Sequence, residues 1–343
     1  MTRAALLVFT GLAFAAGAGC AGEGSGEPVR VRVPRGASFS QVADSLEAKE
    51  IIAWSPLFRL YARAKGAAGR IQPGTYEFRR GTGWDVVLDD LVAGRFLVAR
   101  VTIPEGWDLR GIAPRLAEIT GVPADSILGA LADTTRPGPL GVPGPTLEGY
   151  LYPATYTFPV DAPFDTIVHA LVRRYQQTWT AERRARADSI GMDEREVVTL
   201  ASIIEREAKK ADEMTLISAV FHNRLDIGYP LQADATVQYA LGVHRERLLY
   251  AAIDSAANDP YNTYHHAGLP PGPIASPSDR AIDAALDPDT TDYLYFVARP
   301  DGSHIFSRSL DEHNRARAEL RRARSAAAAN APDSTSREPN EDG

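Results

Sequence analysis

The chain repeats itself, and the repeat limits what it can fold into. Val31 to Leu46 reads VRVPRGASFSQVADSL, and Val101 to Leu116 reads VTIPEGWDLRGIAPRL. Val33 matches Ile103, Pro34 matches Pro104 and Gly36 matches Gly106, while Val42-Ala43 matches Ile112-Ala113 and Leu46 matches Leu116. In each copy the alternating apolar residues specify a strand. The Pro-x-Gly element specifies a turn, and apolar residues three and four apart specify a helix. A β-turn-α unit used twice predicts an α+β chain.

The rest of the sequence supplies further elements of both kinds. Between the copies, Ser55 to Ala64 has a helical pattern carrying Leu57, Phe58, Leu60 and Tyr61. IQPGTYEFRRG then reads as a turn and strand, and Trp84 to Leu91 as a helix with Val87, Leu88 and Leu91 inward. Small β-α modules of this kind resemble LysM-like domains, which bind peptidoglycan glycans. Thr134 to Pro145 is rich in Pro and Gly and reads as a loop into LEGYLYPATYTFP. One helix is expected from Asp165 to about Ala187, with Ile167, Leu171, Tyr175 and Trp179 at steps of four. Asp193 with Glu196 has the spacing of a capping box for the next helix, whose stripe is Val197, Leu200, Ala201, Ile204 and Ala208. A further helix from about Asp212 to Leu225 is ended by Gly228. A hairpin is expected around Pro300-Asp301-Gly302, a last helix from about Leu310 to Ala327, and a disordered polar tail.

At 343 residues the chain has room for two or three domains. Lys and Arg total 37 against 44 Asp and Glu, a net charge of −7 that gives no electrostatic case for nucleic acid. Arg3 followed by the apolar run Ala4 to Gly19 reads as an export segment, shorter than the ~20 residues of a spanning helix. Cys20, the one cysteine, sits at its end, as in a lipoprotein attachment site, although Gly17 departs from the usual larger aliphatic residue. Lipidation at Cys20, an uncleaved anchor and plain secretion all export the folded part. No internal disulfide can form, so stability must come from packing.

The candidate chemistry lies between Ala201 and Tyr264. Glu205 and Glu207 flank opposite sides of an apolar helical stripe, and helical geometry does not choose between them. A carboxyl at such an edge can be partly desolvated, which prepares it as a general acid. His222-Asn223-Arg224, Gln232, Asp234 and Asn262-Thr263-Tyr264 follow in turn-rich sequence, before the rigid Gly-Leu-Pro-Pro-Gly-Pro stretch. One acid among many directional hydrogen-bonding groups suits a carbohydrate cleft. Structural roles are open too: Asp234 as a helix N-cap, Asn262 and Thr263 as turn residues, Glu148 as an arginine partner. No HExxH, paired-Cys spacing, P-loop, GxGxxG after a strand or GxSxG occurs, so neither a metal nor an organic cofactor is expected.

Taken in order, VPRGASFSQVADSL, IPEGWDLRGIAPRL, LEGYLYPATYTF, ASIIEREA, FHNRLDIGYPLQADATVQYALG, YNTYHHAGLPPGPIASPS and LYFVARPDGSHIFSRSLDEHN resemble the endolytic murein transglycosylases of the MltG/YceG-like family over residues 29 to 322. The resemblance implies that Glu205, the first glutamate of SIIERE, is the catalytic acid. It implies cleavage of the β-1,4 bond between N-acetylmuramic acid and N-acetylglucosamine without water, leaving 1,6-anhydro ends and terminating glycan elongation. Glu148, Tyr152, Asn223, Gln232, Asp234, Asn262, Thr263 and Tyr264 are then the candidate substrate-binding residues. The implied partners are peptidoglycan strands, the penicillin-binding synthases and, through the N-terminal segment, the exported face of the cell membrane. The corresponding domains are a targeting segment (1–20), a linker (21–28), a LysM-like region (29–120), a YceG-like catalytic domain (121–328) and a tail (329–343). Two other functions fit the same residues: a non-catalytic wall-binding protein, and a muramidase pairing Glu205 with Glu148 or Asp234.

Overall fold

Both copies of the repeat fold as strand, turn and helix. In the computed structural model, which describes residues 22, 24–243 and 248–329, the first copy is β1 (Ser25–Val33) followed by α1 (Phe39–Ala48). Val31, Val33, Val42, Ala43 and Leu46 are buried there. The helix α2 (Ser55–Ala64), the strand β2 (Gly74–Arg80) and the helix α3 (Trp84–Ala93) come next. β2 pairs antiparallel with β1, Val31 opposite Tyr76 and Val33 opposite Gly74. The core of this region joins Val31, Leu46, Phe58, Tyr76 and Leu91. The second copy is β3 (Val98–Ile103) and α4 (Leu109–Thr120), in which Val101, Ile103, Ile112, Ala113 and Leu116 are the buried matches.

After α4 come α5 (Ala124–Leu131), the single turn α6 (Pro137–Leu140) and β4 (Ala154–Pro159), the partner of β3. The helix expected from Asp165 to Ala187 is two helices, α7 (Phe164–Thr178) and α8 (Ala181–Ser189). The reason is local: the Thr178 hydroxyl donates to the Tyr175 carbonyl at 2.7 Å, and the Thr180 side chain caps a new helix by accepting from the Arg183 N–H. Then follow α9 (Glu194–Glu207), a 3-10 turn (Ala211–Glu213), α10 (Met214–Asp226), α11 (Asp234–Leu241), α12 (Tyr250–Ser255) and α13 (Asp279–Leu286). The hairpin β5 (Tyr295–Ala298) and β6 (His304–Ser307) and the helix α14 (Leu310–Ala329) complete the described chain.

The architecture is α+β, with three two-stranded sheets among the described residues. The chain divides into two compact units: the described residues up to Val101 with Tyr156–Phe164, and Thr102–Thr155 with Asp165 onward. The helix of the second repeat therefore belongs to the larger unit. At the centre of that unit lies α9, against α8, α10, α11 and α13. Buried Ala201 on α9 and Ala281, Ala284 and Ala285 on α13 are small enough to bring the two helices close. Among the described residues no helix is long and apolar enough to cross a membrane. The export segment and Cys20 lie outside the described residues.

Candidate active site

The helix that carries Glu205 starts at a reciprocal cap. The Asp193 side chain accepts from the Glu196 N–H, and the Glu196 carboxylate accepts from the Asp193 N–H, each at 2.8 Å. Every residue from Val197 to Ile204 is then buried, on all sides and not on one stripe. Glu205 is where α9 leaves the core, and it is half-buried.

Its carboxyl is held on one side. Oε2 accepts the Ser278 N–H at 3.0 Å and the Ser278 hydroxyl at 2.6 Å. Ser278 caps α13, its Oγ accepting from the Ala281 N–H at 3.2 Å, so its one proton is directed to Glu205. Oε1 makes no hydrogen bond among the described residues.

The turn of the second repeat forms the adjoining wall. Gly106 adopts φ +70°, and a Cβ there would lie 3.6 Å from Glu205 Cγ. Its N–H donates to the Ser276 carbonyl at 2.8 Å, the Ser276 N–H donates to the Trp107 carbonyl at 2.8 Å, and Arg206 donates to the Gly106 carbonyl at 2.9 Å. Burial, and then the nearby Glu205, push the Glu105 carboxyl up from its ordinary value.

These groups open into a cleft of about 1360 Å³, lined also by Glu207, Gln232, Asp234, Tyr250, Tyr264 and Tyr295. Glu207 is pushed up to about 7 by burial, although it accepts from the Ala235 N–H at 3.3 Å. Both glutamates therefore line the cleft, each with one oxygen that makes no hydrogen bond among the described residues; what separates them is the bonded oxygen, held by two Ser278 donors in Glu205 and by the single Ala235 N–H at 3.3 Å in Glu207.

The structure divides the remaining sequence candidates. Gln232, Asp234 and Tyr264 line the cleft with Glu205. Gln232 has a left-handed φ of 49°, uncommon without a glycine, and its N–H donates to the Thr263 carbonyl. Asp234 does not cap α11 with its side chain; it accepts the Tyr264 hydroxyl at 2.5 Å. The others make internal bonds. Asn262 is fully buried and donates to the Ile253 and Ala256 carbonyls. Thr263 is buried against Thr236 and the Ala233 N–H. Asn223 donates to the Thr291 and Tyr293 carbonyls. Tyr152 donates to Asp279 at 2.5 Å, under the Arg174 guanidinium. Glu148 is buried below the start of α4. Its Oε2 accepts from the Leu109 N–H at 3.1 Å and the Tyr239 hydroxyl at 3.3 Å, its Oε1 has no partner, and burial pushes its carboxyl up to about 8.

Sequence reasoning missed Glu105, Trp107, Ser278, Tyr250 and Tyr295. The first two had a visible signal, since Glu105 and Trp107 stand where the first copy has Arg35 and Ala37. Among the described residues no three His, Cys, Asp or Glu side chains gather as metal ligands.

The model of the YceG-like family matches residues 31–319. The chain belongs to the YceG-like family. It is 35% identical over 308 residues to the endolytic murein transglycosylase of Bacillus subtilis, with 84% of each chain covered. It is 28% identical to the endolytic murein transglycosylase of Streptococcus pneumoniae, covering 84% of this chain and 57% of that one. A crystal structure of a yceG-like protein from Listeria monocytogenes matches with a TM-score of 0.59 and 32% identity, over 85% of this chain and 99% of that one.

Proposed function

We infer that this YceG-like chain is an endolytic lytic transglycosylase that cuts peptidoglycan glycan strands. The observation that carries the reading is Glu205, with one carboxyl oxygen pinned by Ser278 and the other open to a polar, aromatic-lined cleft. Two relatives named endolytic murein transglycosylase support the same reaction.

In this mechanism Glu205 gives its proton to the glycosidic oxygen, the O4 of N-acetylglucosamine, as the bond to C1 of N-acetylmuramic acid breaks. The C6 hydroxyl of the same muramic residue then bonds to C1, and its proton returns to Glu205. Atoms balance without water, and the acid is regenerated. The nucleophile is tethered at high effective concentration, so no second carboxylate need activate water. Pinning Oε2 leaves Oε1 as the atom that exchanges the proton in both steps. Trp107, Tyr250 and Tyr295 offer aromatic faces to the apolar sides of the sugars, and Gln232, Asp234 and Tyr264 offer polar groups to their hydroxyls and acetamido groups. Asn223, Asn262, Thr263, Tyr152 and Glu148 act behind the cleft, as its scaffold. Glu148 is too deeply buried to serve as the partner carboxylate of a muramidase.

The finer reading adds a LysM-like glycan-binding region (29–120), whose second turn at Glu105 to Trp107 also walls the cleft, ahead of the catalytic domain (121–328), anchoring through the N-terminal segment by an apolar helix or lipidated Cys20, and action beside the peptidoglycan synthases on nascent strands. The β-turn-α repeat, the apolar run Ala4 to Gly19 and the family support it.

The test is direct. The protein from Glu27 onward is incubated with uncrosslinked peptidoglycan strands beside a Glu205→Gln variant, and fragment ends are read by mass spectrometry. Internal cuts with 1,6-anhydro ends, absent in the folded variant, are expected. Hydrated reducing ends would instead indicate a muramidase, and absence of any cleavage would leave a wall-binding protein.

A further inference from the structure

The catalytic cleft holds cations that no carboxylate among the described residues pairs with. Arg224 is 6% exposed. Its Nε donates to the Leu294 carbonyl at 2.7 Å and its Nη1 to the Leu231 carbonyl at 2.6 Å, and its guanidinium lies 5.4 Å from the ring centres of both Tyr229 and Tyr295. Among the described residues no carboxylate lies within ion-pair distance of it. Elsewhere in the same unit arginines find acids: Arg183 pairs with Asp279 and Asp283, and Arg308 with Asp292. A nearly buried guanidinium without a counter-ion is costly. Glu207, the carboxyl that acts on it from nearby, is itself pushed up to about 7 by burial and is only partly ionised at neutral pH.

The charge continues along the same wall. Tyr295 stacks on His313 at 5.4 Å, and the His313 ring is held below its ordinary value by burial and by the neighbouring Arg317 and Arg224. Arg317 and Lys209 line the cleft, and neither has an ion-pair partner among the described residues. A glycan offers these cations only hydroxyl and acetamido groups. In peptidoglycan the anionic groups are the carboxylates of the peptide carried by each muramic residue.

We propose that Arg224, Lys209 and Arg317 form a subsite for a carboxylate of the stem peptide, set in the catalytic cleft beside the sugar-binding groups. A planar guanidinium fixed by two carbonyls and lying against two rings is preorganised to receive a carboxylate, and the two exposed cations add attraction without adding rigidity. This rests on the peptidoglycan reading above and names which part of that polymer the charged wall contacts.

The experiment measures binding, so that it does not depend on turnover. Glu205→Gln protein is titrated calorimetrically with peptidoglycan strands carrying native stem peptides, and with the same strands after their peptide carboxyls are converted to amides. About tenfold tighter binding of the native strands is expected. The added pair Lys209→Ala and Arg317→Ala, both at the cleft surface, should cut that preference to about threefold or less, the remainder resting on Arg224, and leave affinity for the amidated strands within about twofold. Arg224 is left in place, because its two carbonyl bonds also hold the fold. Equal affinity for native and amidated strands, no binding of either, or an equal loss on both in the double variant overturns the proposal. Failure of the transglycosylase reading appears elsewhere, as a wild-type protein that releases no 1,6-anhydro ends.

Discussion

The two copies of the β-turn-α unit share a backbone plan and differ in where their hydrogen bonds go. In the first copy they stay local. The Ala37 N–H closes the turn on the Pro34 carbonyl, and Ser38 and Gln41 form a complete capping box. A Cβ on Gly36 would meet open space. In the second copy they point outward. The turn is bonded to Ser276 and Arg206, and a Cβ on Gly106 would meet Glu205. The residue matching Gln41 is Gly111, where a Cβ would come within 3.1 Å of the Trp107 ring. The glycine makes room for the indole that lines the cleft and gives up the reciprocal cap. Asp108 still accepts from the Gly111 N–H, and Glu148 supplies a second acceptor, at the Leu109 N–H. One unit can thus be self-sufficient or serve a site, and the change falls on the turn and the first helical turn.

The largest expected effect lies at the site that the second copy serves. Glu205→Gln should lower strand cleavage by about a hundred- to ten-thousand-fold, with an unchanged circular dichroism spectrum. Substitutions in the first copy's turn should leave cleavage within about twofold, and a comparable loss there would break the comparison.

The next effect concerns the replacement cap. Burial raises the Glu148 carboxyl from its ordinary 4.5 to about 8, so between these values the folded chain holds a proton that the unfolded chain releases. The stability associated with that proton is complete below about pH 4.5 and is lost as pH rises to about 8. Glu148→Gln should flatten this decline, by a few kcal/mol across the window, in urea midpoints compared at pH 5 and pH 9. An unchanged pH slope would mean that Glu148 is not protonated in the fold. Glu207, raised to about 7, contributes with the same sign over a narrower window.

Exchanging the position that differs most sharpens the contrast. Gln41→Gly should cost about 1–2 kcal/mol of stability through the lost cap and the weaker helix former, with cleavage unchanged. Gly111→Gln should displace the Trp107 ring and lower kcat/KM about tenfold, or ~1.4 kcal/mol of transition-state stabilisation, with little loss of stability. The smallest effects come from the two turn glycines. Gly36→Ala and Gly106→Ala should each cost about 1 kcal/mol at their positive φ, and only the second should slow cleavage.

Much of this scaffold was legible in the sequence. The repeat, the Asp193–Glu196 cap and the hairpin at Pro300-Asp301-Gly302 all depend on short-range spacing, which sequence records directly. The polar residues were harder. Asn262 and Gln232 are equally polar on paper, yet one is buried under three hydrogen bonds and the other lines the cleft. Whether a polar group faces a ligand or the protein's own backbone depends on contacts across many residues. Ser278 shows the same limit: as a helix cap it follows from its neighbours, but its bond to Glu205 spans 73 positions. The break at Trp179 was hidden for a different reason. Apolar spacing of four continues through it, and the interruption comes from Thr178 and Thr180 side chains that compete for backbone groups.

The bonds that pin Glu205 also set a schedule for the newly made chain. Its partner Ser278 comes 73 residues later. The Gly106 turn waits 100 residues for Arg206, and longer for Ser276. A chain interrupted between Glu207 and Ser278 holds the whole sequence of the first unit and of α9, but it has neither donor that fixes the carboxyl. For a protein whose proposed activity is to cut the wall, that is a safeguard against fragments: synthesis must pass Ser278 before there is a centre to act.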